Sequence, residues 1–332
     1  MTQLSMAQAL NAALRDAVKD DDRVVILGED VGALGGVFRI TDGIAADFGD
    51  DRCFDTPLAE SGIVGFAVGM AMGGFRPVVE LQFDAFAYPA FEQITSHVAK
   101  MRNRTRGAVA LPMVIRIPYA GGIGGVEHHC DSSEAFYTHT PGLRVVTPGS
   151  AQDAYDLLRD AIDSADPVVF MEPKNRYWTK ESVSFSRDSA PMDQAVVRRP
   201  GRDVTLIAYG PMVATALETA EAATAEGWDV EVVDLRSLSP FDDVTVSASV
   251  RRTGRAVVVH EAAGFGGYGA EIVARVTEQC FHYLHAPVLR VTGLDIPYPP
   301  PKLERHQLPH VDRILDTIAR LQWQDQPVVA SA

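Results

Sequence analysis

Short runs of β-branched and apolar residues recur along this chain, each followed by a stretch of helical periodicity. That alternation limits the possible architectures more than any other feature. In the first half the runs are VVIL (24–27), PVVELQF (77–83), MVIRIP (113–118), LRVVT (143–147) and PVVFMEP (167–173). In the second they are VTLIAYG (204–210), VEVVDL (230–235), AVVVH (256–260) and VLRVTG (288–293). Near-continuous apolar runs mark strands buried on both faces, as in parallel sheets covered by helices. Helices are expected over 5–20, 87–101, 151–162, 212–226, 241–252, 267–281 and about 310–322. The expected class is α/β, with a mainly parallel sheet in each half.

Residues 174–202 break the pattern: they are polar, hold Pro191, Pro200 and Gly201, and lack a clear period. They read as a linker, so the expected domains are 1–175 and 203–332, with 176–202 between them. PYPPPK (297–302) reads as an extended proline segment. The 44 acidic against 30 basic residues, a net charge of −14, argue against a nucleic-acid partner, which needs basic surface for phosphates. No apolar run approaches the ~20 residues of a membrane span. The N-terminus lacks the basic start and apolar core of a signal peptide. Cys53, Cys130 and Cys280 are odd in number and widely spaced, which favours a reducing cytoplasm over a disulfide framework.

Chemistry is concentrated in 55–86. A turn at Thr56-Pro57 precedes Glu60, the one acid opening an otherwise uncharged helical stretch with Gly65, Gly69 and Gly73 at intervals of four. That spacing places the glycines near one helix face, where bare backbone invites another helix or a ligand. Glu60 is either a capping acid or a working acid/base. Glu29 and Asp30 follow a strand, where open α/β sheets place ligand groups and where solvated turns are also common. The glycine-rich loop 120–134 carries His128 and His129, which on extended backbone would point in different directions. A metal reading with Glu127 and Asp131 lacks helical ligand spacing. Phe83 and Phe86 end a strand, where they either stack on a flat ligand or close the core. His260-Glu261 precedes the glycine-rich 262–269, which reads either as an anion-binding helix start or as a tight turn.

These segments together resemble the β subunit of the thiamine-dependent decarboxylase component of 2-oxo acid dehydrogenase complexes. The likeness runs through LGEDVG (27–32), GGVFRIT (35–41), DTPLAE (55–60), Gly65-Phe66 and Gly69, GFRPVVELQF (74–83), the double-histidine loop, HTPGLRVV (139–146), DPVVFMEPK (166–174) and VTGLDIPYP (291–299). It implies a transketolase-like fold, with a pyrimidine-binding domain followed by a smaller α/β transketolase C-terminal domain. It also implies thiamine diphosphate shared with an α subunit in an α2β2 heterotetramer. The α subunit would hold magnesium through a GDG motif, and GDG is absent from this chain. A 2-oxo acid is the implied substrate, and a lipoyl acyltransferase component the implied partner.

By the resemblance, Glu60 meets the pyrimidine nitrogen of the cofactor, Leu58, Gln82 and Phe86 surround that ring, and His129 assists acyl transfer to the lipoyl group beside its neighbour His128. Carbonyls near Met113, Ala161, Ile162, Ser164 and Asp166 would hold potassium. The EHH of the loop and PYPPPKLE near the end favour a branched-chain substrate over pyruvate or acetoin. A self-contained transketolase-type enzyme and a catalytically inert scaffold are the remaining readings.

Overall fold

The chain enters its first helix, Met6–Asp20, through a capping box: Ser5 accepts from the Gln8 amide, and the Gln8 side chain accepts from the Ser5 amide. Its buried face includes Ala9, Leu10, Ala13, Leu14 and Ala17, a helical repeat packed toward a parallel sheet. The computed structural model describes residues 1–186 and 189–322. Two residues of the expected linker and the last ten of the expected second domain lie outside the described residues.

The strands are β1 (Thr2–Ser5), β2 (Val24–Gly28), β3 (Cys53–Asp55), β4 (Arg76–Glu80), β5 (Val114–Tyr119), β6 (Arg144–Val146) and β7 (Val168–Pro173). There follow β8 (Lys180–Val183), β9 (Val196–Arg199), β10 (Val204–Ala208), β11 (Val230–Asp234), β12 (Ser237–Ser239), β13 (Ala256–Ala263) and β14 (Leu289–Gly293). One sheet has the order β12-β6-β7-β5-β4-β2-β3, and its neighbours are parallel except at β12. A second has the order β14-β13-β10-β11-β9, parallel except at β9. The apolar runs therefore form central strands, and β2, β5 and β7 are buried at every position.

Three expectations are corrected. The stretch read as a featureless linker carries β8, which pairs with β1, and β9, which pairs with β11. Both are four-residue edge strands of mixed polarity, too short for a readable period. The helix expected over 87–101 is instead a 3₁₀ turn Ala85–Ala90, a π turn Gln93–Val98 and a short α-helix Met101–Arg104. Pro89 lies inside the first of these and has no amide to continue an α-helix. The segment expected to be extended, 297–302, ends in a 3₁₀ turn, Pro301–Leu303, that runs into the helix Glu304–Gln307.

The two halves are joined by more than covalent continuity. Strand β12 comes from the second half yet completes the edge of the first sheet, where Ser237 pairs with Val146. Behind it, buried Arg236 donates from Nε to Asp153 at 2.9 Å and from Nη1 to the Gln194 carbonyl at 3.0 Å. At the centre of the first sheet, fully buried Arg116 on β5 bridges Glu80 on β4 at 2.6 Å and Glu172 on β7 at 2.7 Å. Tyr177 donates to the same Glu172 at 2.6 Å.

Candidate functional site

Strand β2 ends at Gly28, where a Cβ would come within 2.6 Å of the Glu80 carbonyl oxygen. The residue must be glycine for the strands to approach, and the strand stops there, at the carboxyl end of the sheet. Two bonds fold the Asp55–Pro57 turn onto this end: the Thr56 amide donates to Gly28 O at 2.9 Å, and the Gly32 amide to Asp55 Oδ1 at 2.7 Å. Glu60, half-buried, is thereby delivered beside Glu29 as the first residue of the helix Glu60–Met72. Glu29 is no solvated turn residue. It is buried, and its Oε1 has no protein hydrogen-bond partner. Burial, then the charge of Glu60, then that of Asp30 push its carboxyl above the ordinary range. Gln82 donates to the Glu29 carbonyl at 3.4 Å and to Asp30 Oδ2 at 3.2 Å. Leu58 stands out at 80% exposure at the mouth of the helix.

An aromatic wall follows from the end of β4. Phe83 and Phe86 meet edge-on at 5.2 Å between ring centroids. His129 packs against both, at 4.4 Å from Phe83 and 5.5 Å from Phe86. The two histidines do not diverge as expected. Glu127–His129 forms a 3₁₀ turn, and about 120° per residue brings the rings to 4.3 Å. His128 is exposed and lies 6.2 Å from Phe86. Burial, the charge of His128 and that of Lys174 hold the imidazole of His129 below its usual pKa.

Sequence reading missed what holds this loop. The amide of Gly121 donates to Glu261 on β13, and the amide of Gly122 donates to Glu304 at 2.8 Å. Tyr209 reaches back to Glu134 at 2.7 Å, and buried Asp84 accepts from the amide and hydroxyl of Ser133 at 2.8 and 2.5 Å. Lys174 is buried among these acids. The only legible hint was Glu261 at a strand end. Within 262–269, a Cβ at Gly269 would lie 2.5 Å from His260 Nε2, so glycine is required there for packing.

The three glycines of the stripe meet different surroundings. Gly65 faces Gln93 of its own chain, 3.5 Å from where a Cβ would be, and Gly73 is the C-terminal cap. Only at Gly69 does a Cβ meet nothing within 4 Å. Around it the helix leaves Phe66 and Met72 exposed, because it is apolar on every side and the sheet covers only one. The carbonyls expected around potassium are already engaged. Arg76 Nη1 donates to Ile162 O at 2.7 Å and Ser164 O at 3.2 Å, Val168 N to Met113 O at 3.0 Å, Ser164 N to Ala161 O at 3.2 Å, and Ser164 Oγ to Asp166 O at 2.9 Å. Among the described residues, no three His, Cys, Asp or Glu side chains gather as metal ligands. None of the described helices is long and apolar enough to cross a membrane.

A half-buried acid beside a sealed one, next to a phenylalanine–histidine wall, suits a flat, nitrogen-bearing ring. Comparison with known proteins agrees with that reading. Residues 2–179 match the transketolase pyrimidine-binding domain, and residues 193–314 the transketolase C-terminal domain. A Mycobacterium tuberculosis protein named 3-methyl-2-oxobutanoate dehydrogenase subunit beta is 54% identical over 319 residues, 96% of this chain and 92% of that one. A Leifsonia xyli protein named pyruvate dehydrogenase E1 component subunit beta is 53% identical over 317 residues, 96% and 94% of the two chains. A Pseudomonas aeruginosa protein named 2-oxoisovalerate dehydrogenase subunit beta is 45% identical over 316 residues, 90% and 89%. The fold superposes on a solved split-gene transketolase, described as an inactive beta4 tetramer, with a TM-score of 0.78 and 26% identity over 97% and 99% of the two chains. The chain therefore belongs to the 2-oxo acid dehydrogenase β-subunit family, whose two halves are the transketolase pyrimidine-binding and C-terminal domains.

Proposed function

We propose that this chain is the β subunit of a cytoplasmic branched-chain 2-oxo acid dehydrogenase and contributes the pyrimidine side of a thiamine diphosphate site that an α subunit completes. The observation that carries this reading is the Glu60–Glu29 pair: a half-buried carboxyl at a helix start, facing a buried one with an unpartnered oxygen. When bound, thiamine diphosphate supplies the nucleophilic carbon and the electron sink for decarboxylation. Glu60 would meet the pyrimidine ring nitrogen and exchange a proton with it at its carboxyl. Glu29, sealed beneath it, keeps water from that proton and sets the local field. Phe86 and Leu58 would line the ring, and Gln82 pins the Glu29–Asp30 backbone so the acids keep their spacing. His129, its imidazole held below its usual pKa by burial, would take or give a proton during acyl transfer to a lipoyl group on an acyltransferase component, with His128 outside it.

The exposed apolar face around Gly69, Phe66 and Leu58 supports burial against a partner subunit, in keeping with an α2β2 assembly in which α holds magnesium and the diphosphate. Potassium belongs to the same proposal. Each carbonyl oxygen has two lone pairs, so the donors already at Met113, Ala161, Ile162, Ser164 and Asp166 leave one apiece.

The test is reconstitution with a GDG-containing α subunit and comparison of 3-methyl-2-oxobutanoate with pyruvate. A higher kcat/KM for the branched substrate supports the reading, and clear preference for pyruvate discards it. For H129A, reductive acylation of a lipoyl domain is expected to fall by ~10²-fold, the scale of a lost acid/base group. Decarboxylation with an artificial electron acceptor should fall much less. Equal losses in the two assays would remove the transfer role of His129.

A further inference from the structure

Lys174 follows β7, and only 1% of it is exposed. A buried ammonium without a hydrogen bond is costly, yet its Nζ has no partner. The nitrogen lies 5.9 Å from the centroid of Phe83, the ring whose edge meets His129 at 4.4 Å. The titratable groups that act on it come from every side: Asp84 after β4, Cys130 and Asp131 in the loop, and Glu261 on β13. A lysine is thus sealed where the first sheet, the histidine loop and the second domain meet.

We propose that Lys174 is a positioning residue for this site: its ammonium, closed in behind Phe83, organises the acids that anchor the 120–134 loop and sets the field felt by His129. The proposal rests on the functional reading above only in assigning His129 its task. Burial brings Lys174 down to about 8, while Asp84 and Glu261 are brought up to about 7 by their own burial. Asp84, then Cys130, Glu261 and Asp131, oppose that fall. Its positive charge disfavours a second cation at His129.

The test is diethyl pyrocarbonate modification of His129 in the full chain, located by mass spectrometry across pH, since only the neutral imidazole reacts. K174M is expected to move the midpoint upward by about 0.5 pH unit, as loss of a nearby cation makes the imidazolium easier to form. K174R should keep the wild-type midpoint. An unchanged midpoint in K174M overturns the proposal. If K174M fails to fold, K174Q, which removes the charge but keeps a polar end among these acids, is read in the same way, and an unchanged midpoint there overturns the proposal. No substrate or partner is needed, so a failure here is separate from a failure of the proposed activity.

Discussion

Replacing Glu60 by glutamine is expected to lower cofactor-dependent decarboxylation by ~10²–10⁴-fold, the range for a lost acid/base group, while leaving assembly with the α subunit intact. The substitution keeps shape and hydrogen-bonding reach but cannot exchange a proton. Folding should be little affected, because Glu60 is only half-buried and makes no side-chain cap to its helix. Size-exclusion chromatography of the reconstituted complex checks assembly, and steady-state kinetics checks activity. E60A should behave alike in activity. Near-normal turnover by either variant would show that the proton at this position has no part in the reaction.

The second large effect concerns stability. Arg116 neutralises two buried carboxylates in the middle of the first sheet, Glu80 and Glu172. R116M removes the cation and leaves both acids sealed without it, an expected loss of about 3–5 kcal/mol in urea unfolding. The sign of the pH dependence follows from burial. Burial holds the folded-state carboxyl of Glu80 above its unfolded value even with Arg116 present, and Arg116 is what opposes that rise. Without Arg116, the folded state binds protons more readily than the unfolded one, so stability is retained at low pH and lost as pH rises through the folded-state pKa. The R116M deficit should therefore be smaller at pH 5 than at pH 8. A deficit independent of pH would place the cost in packing rather than in uncompensated charge.

How much of this was legible in the sequence depended on how local its cause was. The central strands were, because runs such as VVIL and PVVFMEP are apolar at consecutive positions and nothing but a covered sheet buries them. Glu60 was, because a lone acid at the head of an apolar helix stands out. The short edges were not: β1 pairs Thr2 with Val183, a partner far along the chain, and its four residues carry no period. The break at Pro89 was visible in principle, but the apolar spacing around it imitates one helix. The outcome for the glycine stripe was mixed, since spacing shows which residues share a face and not what lies against that face. Least legible was the second layer of the site. Lys174, Asp84 and Glu304 look like ordinary surface charges until folding closes the two halves over them. The histidine pair was legible as a candidate site and misread in direction, because its residues form a 3₁₀ turn rather than extended backbone.

The central claim is that the chain holds half of a cofactor site. Titration calorimetry of thiamine diphosphate with magnesium, first into this chain alone and then into its mixture with a GDG-containing α subunit, tests that most directly. The mixture is expected to bind with one cofactor per αβ pair and to decarboxylate a 2-oxo acid, while the chain alone shows no saturable binding. Tight binding and turnover by the chain alone would contradict the account and favour a self-contained transketolase-type enzyme.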